Sequence, residues 1–172
     1  MDESGRFEPE TGENAFTKDH SGSSTGRWRM MFTGEYNHTV DIKGRLTFPA
    51  KFRESLGEKF VVTKGLDGCL FVFDENEWAA LTEKLAALPM TDKGARQFTR
   101  FFLAGAADAE VDKQGRILLP QNLRQFAAIE KDVVLIGVGR RAEIWSKERY
   151  DGAVDYEDME EFAQSLTSYG IL

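Results

Sequence analysis

A chain of 172 residues with 41% hydrophobic and 30% charged side chains has the balance of a globular protein of one or two domains. One cysteine, Cys69, excludes an internal disulfide, and two histidines, His20 and His38, are too few for the Cys and His ligand set of a structural zinc. The net charge of −7 is concentrated in residues 151–172, which carry six acidic and no basic groups, so it does not exclude a cationic patch elsewhere.

Residues 1–30 are rich in Gly, Ser, Thr and acidic groups and nearly free of large aliphatic side chains. They cannot repay the entropy of ordering, which predicts a flexible extension. The longest uncharged apolar run, 133–139, is far short of the ~18 residues of a membrane span, and the N-terminus has charge where a signal peptide is apolar. A cytoplasmic protein is expected.

Val40 ends a short strand, and Asp41-Ile42-Lys43-Gly44 has the chemistry of a tight turn. The Asp41 carboxylate can accept backbone N–H groups, and Gly44 tolerates a positive φ. A strand at 45–48 completes a hairpin and runs into Pro49, whose fixed φ suits the start of a short helix at 50–56. A β-branched strand at 59–63 and a second hairpin into 70–73 follow. A helix at 75–88 recurs at three to four residues through Trp78, Leu81, Leu85 and Leu88, with Pro89 closing it. The next, at 93–103, sets Phe98, Phe101 and Phe102 against Lys93, Arg96 and Arg100, an amphipathic pattern whose charges ordinarily form a solvated face.

The same series then begins again. Residues 34–50 lie over 105–121 at an offset of 71, pairing Val40 with Val111, Asp41 with Asp112, Gly44 with Gly115, Arg45 with Arg116 and Pro49 with Pro120. Past one inserted residue the offset becomes 72, and Val72, Phe73 and Trp78 meet Ile144, Trp145 and Tyr150. The second copy therefore predicts strands at 116–119, 133–136 and 143–145 and a helix at 121–127. Copies this short read as halves of one pseudo-symmetric unit sharing a core. The expected organisation is an extension (1–30), a first repeat (35–78), a helical connector (79–104), a second repeat (106–149) and an acidic C-terminal helix or tail (150–172). The last carries Met159, Phe162, Ala163 and Leu166 on one face.

Asp-Ile-Lys-Gly-Arg-Leu-x-x-Pro-Ala-x-x-Arg at 41–53, preceded by Met31, Phe32, Gly34 and His38, combines with Asp-Lys-Gln-Gly-Arg-Ile-Leu-Leu-Pro at 112–120 and Glu143-Ile144-Trp145. This pattern, over about 31–150, resembles the MraZ family of bacterial transcriptional regulators. The elements read along the chain make the expected fold mostly β with short helices. The resemblance implies two tandem AbrB-like repeats forming a pseudo-symmetric swapped-hairpin (double-split) β-barrel. It further implies a ring-shaped homo-oligomer and a nucleoid-associated repressor of the division and cell-wall gene cluster, binding double-stranded DNA in its own promoter; short direct repeats are expected there because copies that act together need repeated sites.

The chemistry of the turns agrees with a DNA partner. Lys43 and Arg45 at one tip, and Lys113 and Arg116 at the other, are suited to a major groove, where Arg offers two donors to guanine and Lys approaches a phosphate as a point charge. Asp41, Gly44, Asp112 and Gly115 shape the turns. Arg53 and Arg124 are second candidates for DNA contact, since each can instead cap its helix or pair with a turn aspartate. So few cations per protomer imply weak single-site binding, strengthened when several copies act together. No phosphate loop or nucleophile elbow is present, and neither a catalytic activity nor a cofactor is expected. Cys69 fits a hairpin or core position and His38 a structural hydrogen bond. The alternative to a repressor is an AbrB-like antitoxin or protein-interaction module.

Overall fold

The computed structural model describes residues 31–153 and 155–170, so the extension expected over 1–30 lies outside the described residues. In chain order the elements are β1 (Phe32–Thr39), β2 (Arg45–Thr47), α1 (Ala50–Leu56), β3 (Lys59–Lys64), β4 (Leu70–Asp74), α2 (Glu75–Ala86), α3 (Lys93–Ala104), β5 (Ala107–Glu110), β6 (Arg116–Leu118), α4 (Gln121–Phe126), β7 (Asp132–Gly139), β8 (Ala142–Ser146), α5 (Lys147–Ala153) and α6 (Met159–Ser165). A 3-10 turn, Leu166–Tyr169, follows. None of the helices among the described residues is long and apolar enough to cross a membrane.

The strands form one six-stranded sheet in the order β1-β7-β8-β4-β3-β5 and one two-stranded ribbon of β2 with β6, antiparallel throughout. Exchanging the two copies maps the six-stranded order onto itself. Each copy keeps its own hairpin, β3 with β4 and β7 with β8. Its first strand, however, pairs with the other copy's third: β1 with β7 and β5 with β3.

This arrangement corrects the expected fold class. The protein is a mixed α/β fold with open sheets, not a mostly-β closed barrel. β1 and β5 remain the two edges, because the three-residue β2 and β6 turn away to pair with each other and supply no hydrogen-bonding edge to close the sheet. The hairpin expected after Val40 is reduced to a single bridge, Val40 to Leu46. Helices α2 and α3, of 12 residues each, are the ones expected at 75–88 and 93–103, and together with the shorter helices they give the fold its mixed character.

Alternation along β4 explains why it lies at the centre. Leu70 and Val72 face the main core, with Phe32, Leu46, Phe48, Phe52, Phe60, Ile117, Leu119, Leu123, Leu135 and Ile144. Phe71 and Phe73 face a second core with Cys69, Leu85, Phe102 and Trp145, roofed by α2 and α3. Both copies supply the main core, and at ~1.5–3 kcal/mol for each fully buried large apolar side chain, neither half would keep its share alone. The buried Thr63 hydroxyl fastens α3 to β3 by donating to the Phe102 carbonyl at 2.6 Å.

Helix ends follow side-chain chemistry. Asp74 caps α2 by accepting from Glu77 N at 2.8 Å, and Asp92 caps α3 by accepting from Ala95 N at 2.6 Å. α2 ends at Ala86, so Leu88 lies beyond the helix expected at 75–88 and is exposed. Pro49 and Pro120 stand one residue before α1 and α4, where their carbonyls accept from Arg53 N and Arg124 N.

Candidate nucleic-acid interface

Asp41 organises the first turn through local bonds alone. Its Oδ1 accepts from Lys43 N and Arg45 N, both at 2.9 Å, while Gly44 N donates to the Asp41 carbonyl at 2.9 Å. Asp112 repeats this, with Oδ1 accepting from Gln114 N at 2.8 Å and Arg116 N at 2.9 Å. Gly44 and Gly115 close the turns at φ of 82° and 76°, a region that favours glycine.

The same carboxylates hold the arginines. Arg45 Nε donates to Asp41 Oδ2 at 2.7 Å, and Arg116 Nε and Nη2 lie 2.9 and 2.8 Å from Asp112 Oδ2. Backbone N–H donation from Arg45 and Arg116 is the largest cause holding the Asp41 and Asp112 carboxyls below the usual carboxylate range; the arginine side chains add to it. Both turns therefore carry an ionised aspartate clasping a half-buried arginine, with Lys43 and Lys113 exposed at the tips.

Arg53 and Arg124 lie beneath the opposite turns. Arg53 Nε donates to the Phe48 carbonyl and Arg124 Nε to the Leu119 carbonyl, each at 3.1 Å. A Cβ placed on Gly115 would sit 3.0 Å from Arg53 Cζ, and one on Gly44 would sit 3.0 Å from Arg124 Cζ. Backbone bonds tie the turns in the same crossed sense: Phe48 N donates to Gly115 O and Leu119 N to Gly44 O, both at 2.9 Å. The four sequence candidates Lys43, Arg45, Lys113 and Arg116 thus belong to two adjacent, mutually fastened loops. The partner of the turn aspartates is Arg45 or Arg116, not Arg53 or Arg124.

Three side chains stand apart from the expected set. Ile42, at the apex of the first turn, is 99% exposed, and its apolar character between Asp41 and Lys43 is the only sequence signal that marks it. His38 is half-buried in β1 opposite Val133, and burial pushes its pKa down. Cys69 is fully buried in the second core, where desolvation, then Glu143, pushes its thiol up to about 12. Among the described residues no three His, Cys, Asp or Glu side chains are grouped to hold a metal ion.

Comparison with known proteins finds both copies in one family. The family model described as "MraZ protein, putative antitoxin-like" matches twice, over residues 31–101 and 102–168. A protein of Caldanaerobacter subterraneus is 59% identical over 143 residues, 82% of this chain and 100% of its own length. One of Acetivibrio thermocellus is 56% identical over the same shares, and one of Heliobacterium modesticaldum is 60% identical over 76% of this chain and 95% of its own. All three are named "Transcriptional regulator MraZ". The chain is of the class of transcriptional regulators, not enzymes. It belongs to the MraZ family.

Proposed function

We propose that the turns at 41–45 and 112–116 are a paired DNA reader, with Lys43, Arg45, Lys113 and Arg116 making the base and phosphate contacts. The observation that carries this reading is the crossed fastening of the two turns, Phe48 N to Gly115 O and Leu119 N to Gly44 O, which makes one rigid two-pronged unit of them. Asp41 and Asp112 pre-orient the arginines, so little freedom is lost when they meet a base edge. Arg53 and Arg124 support the turns from beneath, with phosphate contact as their second role.

The acidic total favours a multivalent mechanism. A protomer with few phosphate-facing cations binds weakly, and a ring of copies gains from effective concentration when operator repeats are spaced to be met together. Direct repeats about one helical turn, ~10 bp, apart place successive readers on one face of the duplex. In this reading the protein is a cytoplasmic, nucleoid-associated repressor of the division and cell-wall gene cluster, acting at repeats in its own promoter. Band shifts on that DNA test it. Arg45→Ala with Arg116→Ala should abolish sequence-specific binding and leave assembly intact, and a probe with three or four repeats should bind far more tightly than one. A double variant that still shifts the operator at moderate salt refutes the site.

A second reading, a protein-interaction module of antitoxin type, is favoured by Met159, Phe162 and Leu166, exposed on the acidic C-terminal segment. Co-purification of a small protein that is lost on Phe162→Asp, with no operator shift, would select it.

A further inference from the structure

The two turns share a backbone and differ in what they display. Their aspartate cages, arginine clasps and glycine φ values correspond one for one. The offset of 71, however, sets Ile42 on Lys113 and Lys43 on Gln114. Isolated exposed aliphatic side chains on a protein surface carry no special meaning. Ile42 differs by its place: it is 99% exposed at the apex of a caged loop, beside Lys43 and the clasped Arg45. The cage holds it outward, where it buries nothing in the protein itself.

We infer that Ile42 is a specificity-determining side chain that packs on the C5 methyl of a thymine in the major groove, while Lys113 and Gln114 of the second turn read purine edges. A thymine methyl is the one apolar feature of that groove; Gln is suited to adenine N6 and N7, and Lys to guanine O6 and N7. The pseudo-symmetric fold would then read an asymmetric site in a single orientation. This is the property that head-to-tail repeats require and that two identical tips would lack. The inference rests on the proposed reading that the turns touch DNA.

The test uses the full chain and the duplex upstream of its own gene, with thymines replaced one at a time by deoxyuridine, which removes only the C5 methyl. Wild-type protein should lose about fourfold in affinity at one or two thymines, the value of one buried methyl group. Ile42→Ala, which removes no internal packing and should melt at the wild-type temperature, should bind thymine and deoxyuridine probes alike at those positions. Wild-type binding indifferent to every replacement, or an equal loss in Ile42→Ala, overturns the inference. Arg45→Ala with Arg116→Ala separates the two levels. If this double variant loses the operator while deoxyuridine has no effect, only the role of Ile42 fails; if it keeps the operator, the turn reading fails with it.

Discussion

The guanidinium of Arg53, from the first copy, lies against Gly115 of the second, so close that a Cβ there would stand 3.0 Å from Cζ and 3.1 Å from Nη1. Arg124 and Gly44 form the mirror contact at 3.0 Å. Each turn is thus seated on an arginine of the other copy.

Gly115→Ala should therefore destabilise twice over, through a positive φ that costs a non-glycine residue roughly 1–2 kcal/mol and through displacement of Arg53. An Arg53→Ala background isolates the first part, since it removes the side chain that the added Cβ would meet. Urea denaturation should show Gly115→Ala costing about 1 kcal/mol more in the wild-type chain than in Arg53→Ala, the scale of one hydrogen bond. Equal losses in the two backgrounds would mean that the arginine beneath the turn constrains nothing.

Acid should loosen the turns. Asp41 and Asp112 are held below the usual carboxylate range in the folded chain, so their contribution is fully present above about pH 4 and lost as the pH falls through the lowered value. Stability followed by denaturant midpoint should drop below that pH. The combined Asp41→Asn and Asp112→Asn variant should start lower at neutral pH and show a flatter acid limb.

Cys69 should resist alkylation. Burial pushes the thiol up to about 12, and its Sγ lies 3.2 Å from the Leu66 carbonyl within the second core. At pH 8 iodoacetamide should leave the native protein unmodified and label it fully in denaturant. Rapid native labelling would show that the second core opens readily.

Glu143 bridges its two alternate neighbours, Arg141 just before β8 and Trp145 within it. Its Oε1 accepts from Arg141 Nη2 at 2.7 Å and its Oε2 from Trp145 Nε1 at 2.9 Å, while the Arg141 guanidinium stacks 4.2 Å from the Phe71 ring. Glu143→Ala should cost ~1–3 kcal/mol by stranding the indole N–H, with a change in tryptophan fluorescence. Glu143→Gln, which keeps an acceptor, should cost less. Chemical denaturation of both variants checks the order.

On the proposed DNA reading, Lys43→Ala should weaken operator and unrelated DNA alike. It should also reduce the slope of log affinity against log salt by about one for every phosphate that is no longer neutralised. Weakening confined to the operator would instead mark Lys43 as a base reader.

What the chain alone settles is local. The Asp-x-x-Gly-Arg turns form because donor and acceptor lie within four residues of each other, and the apolar spacing of α2 and α3 reports the single face each buries. Repetition likewise needs no fold to be seen. Strand partners are another matter. β3 and β7 carry similar β-branched runs, so nothing in their side chains tells β1 to pair with β7 rather than with β3, and the hydrogen bonds concerned belong to backbone that every residue shares. Only the tertiary packing decides that the sheet stays open, that β2 leaves its own hairpin for β6, and that Arg53 crosses to the other copy's turn. Those choices depend on which of two equivalent copies brings its surface near, and distance in the fold is a quantity that sequence spacing does not contain.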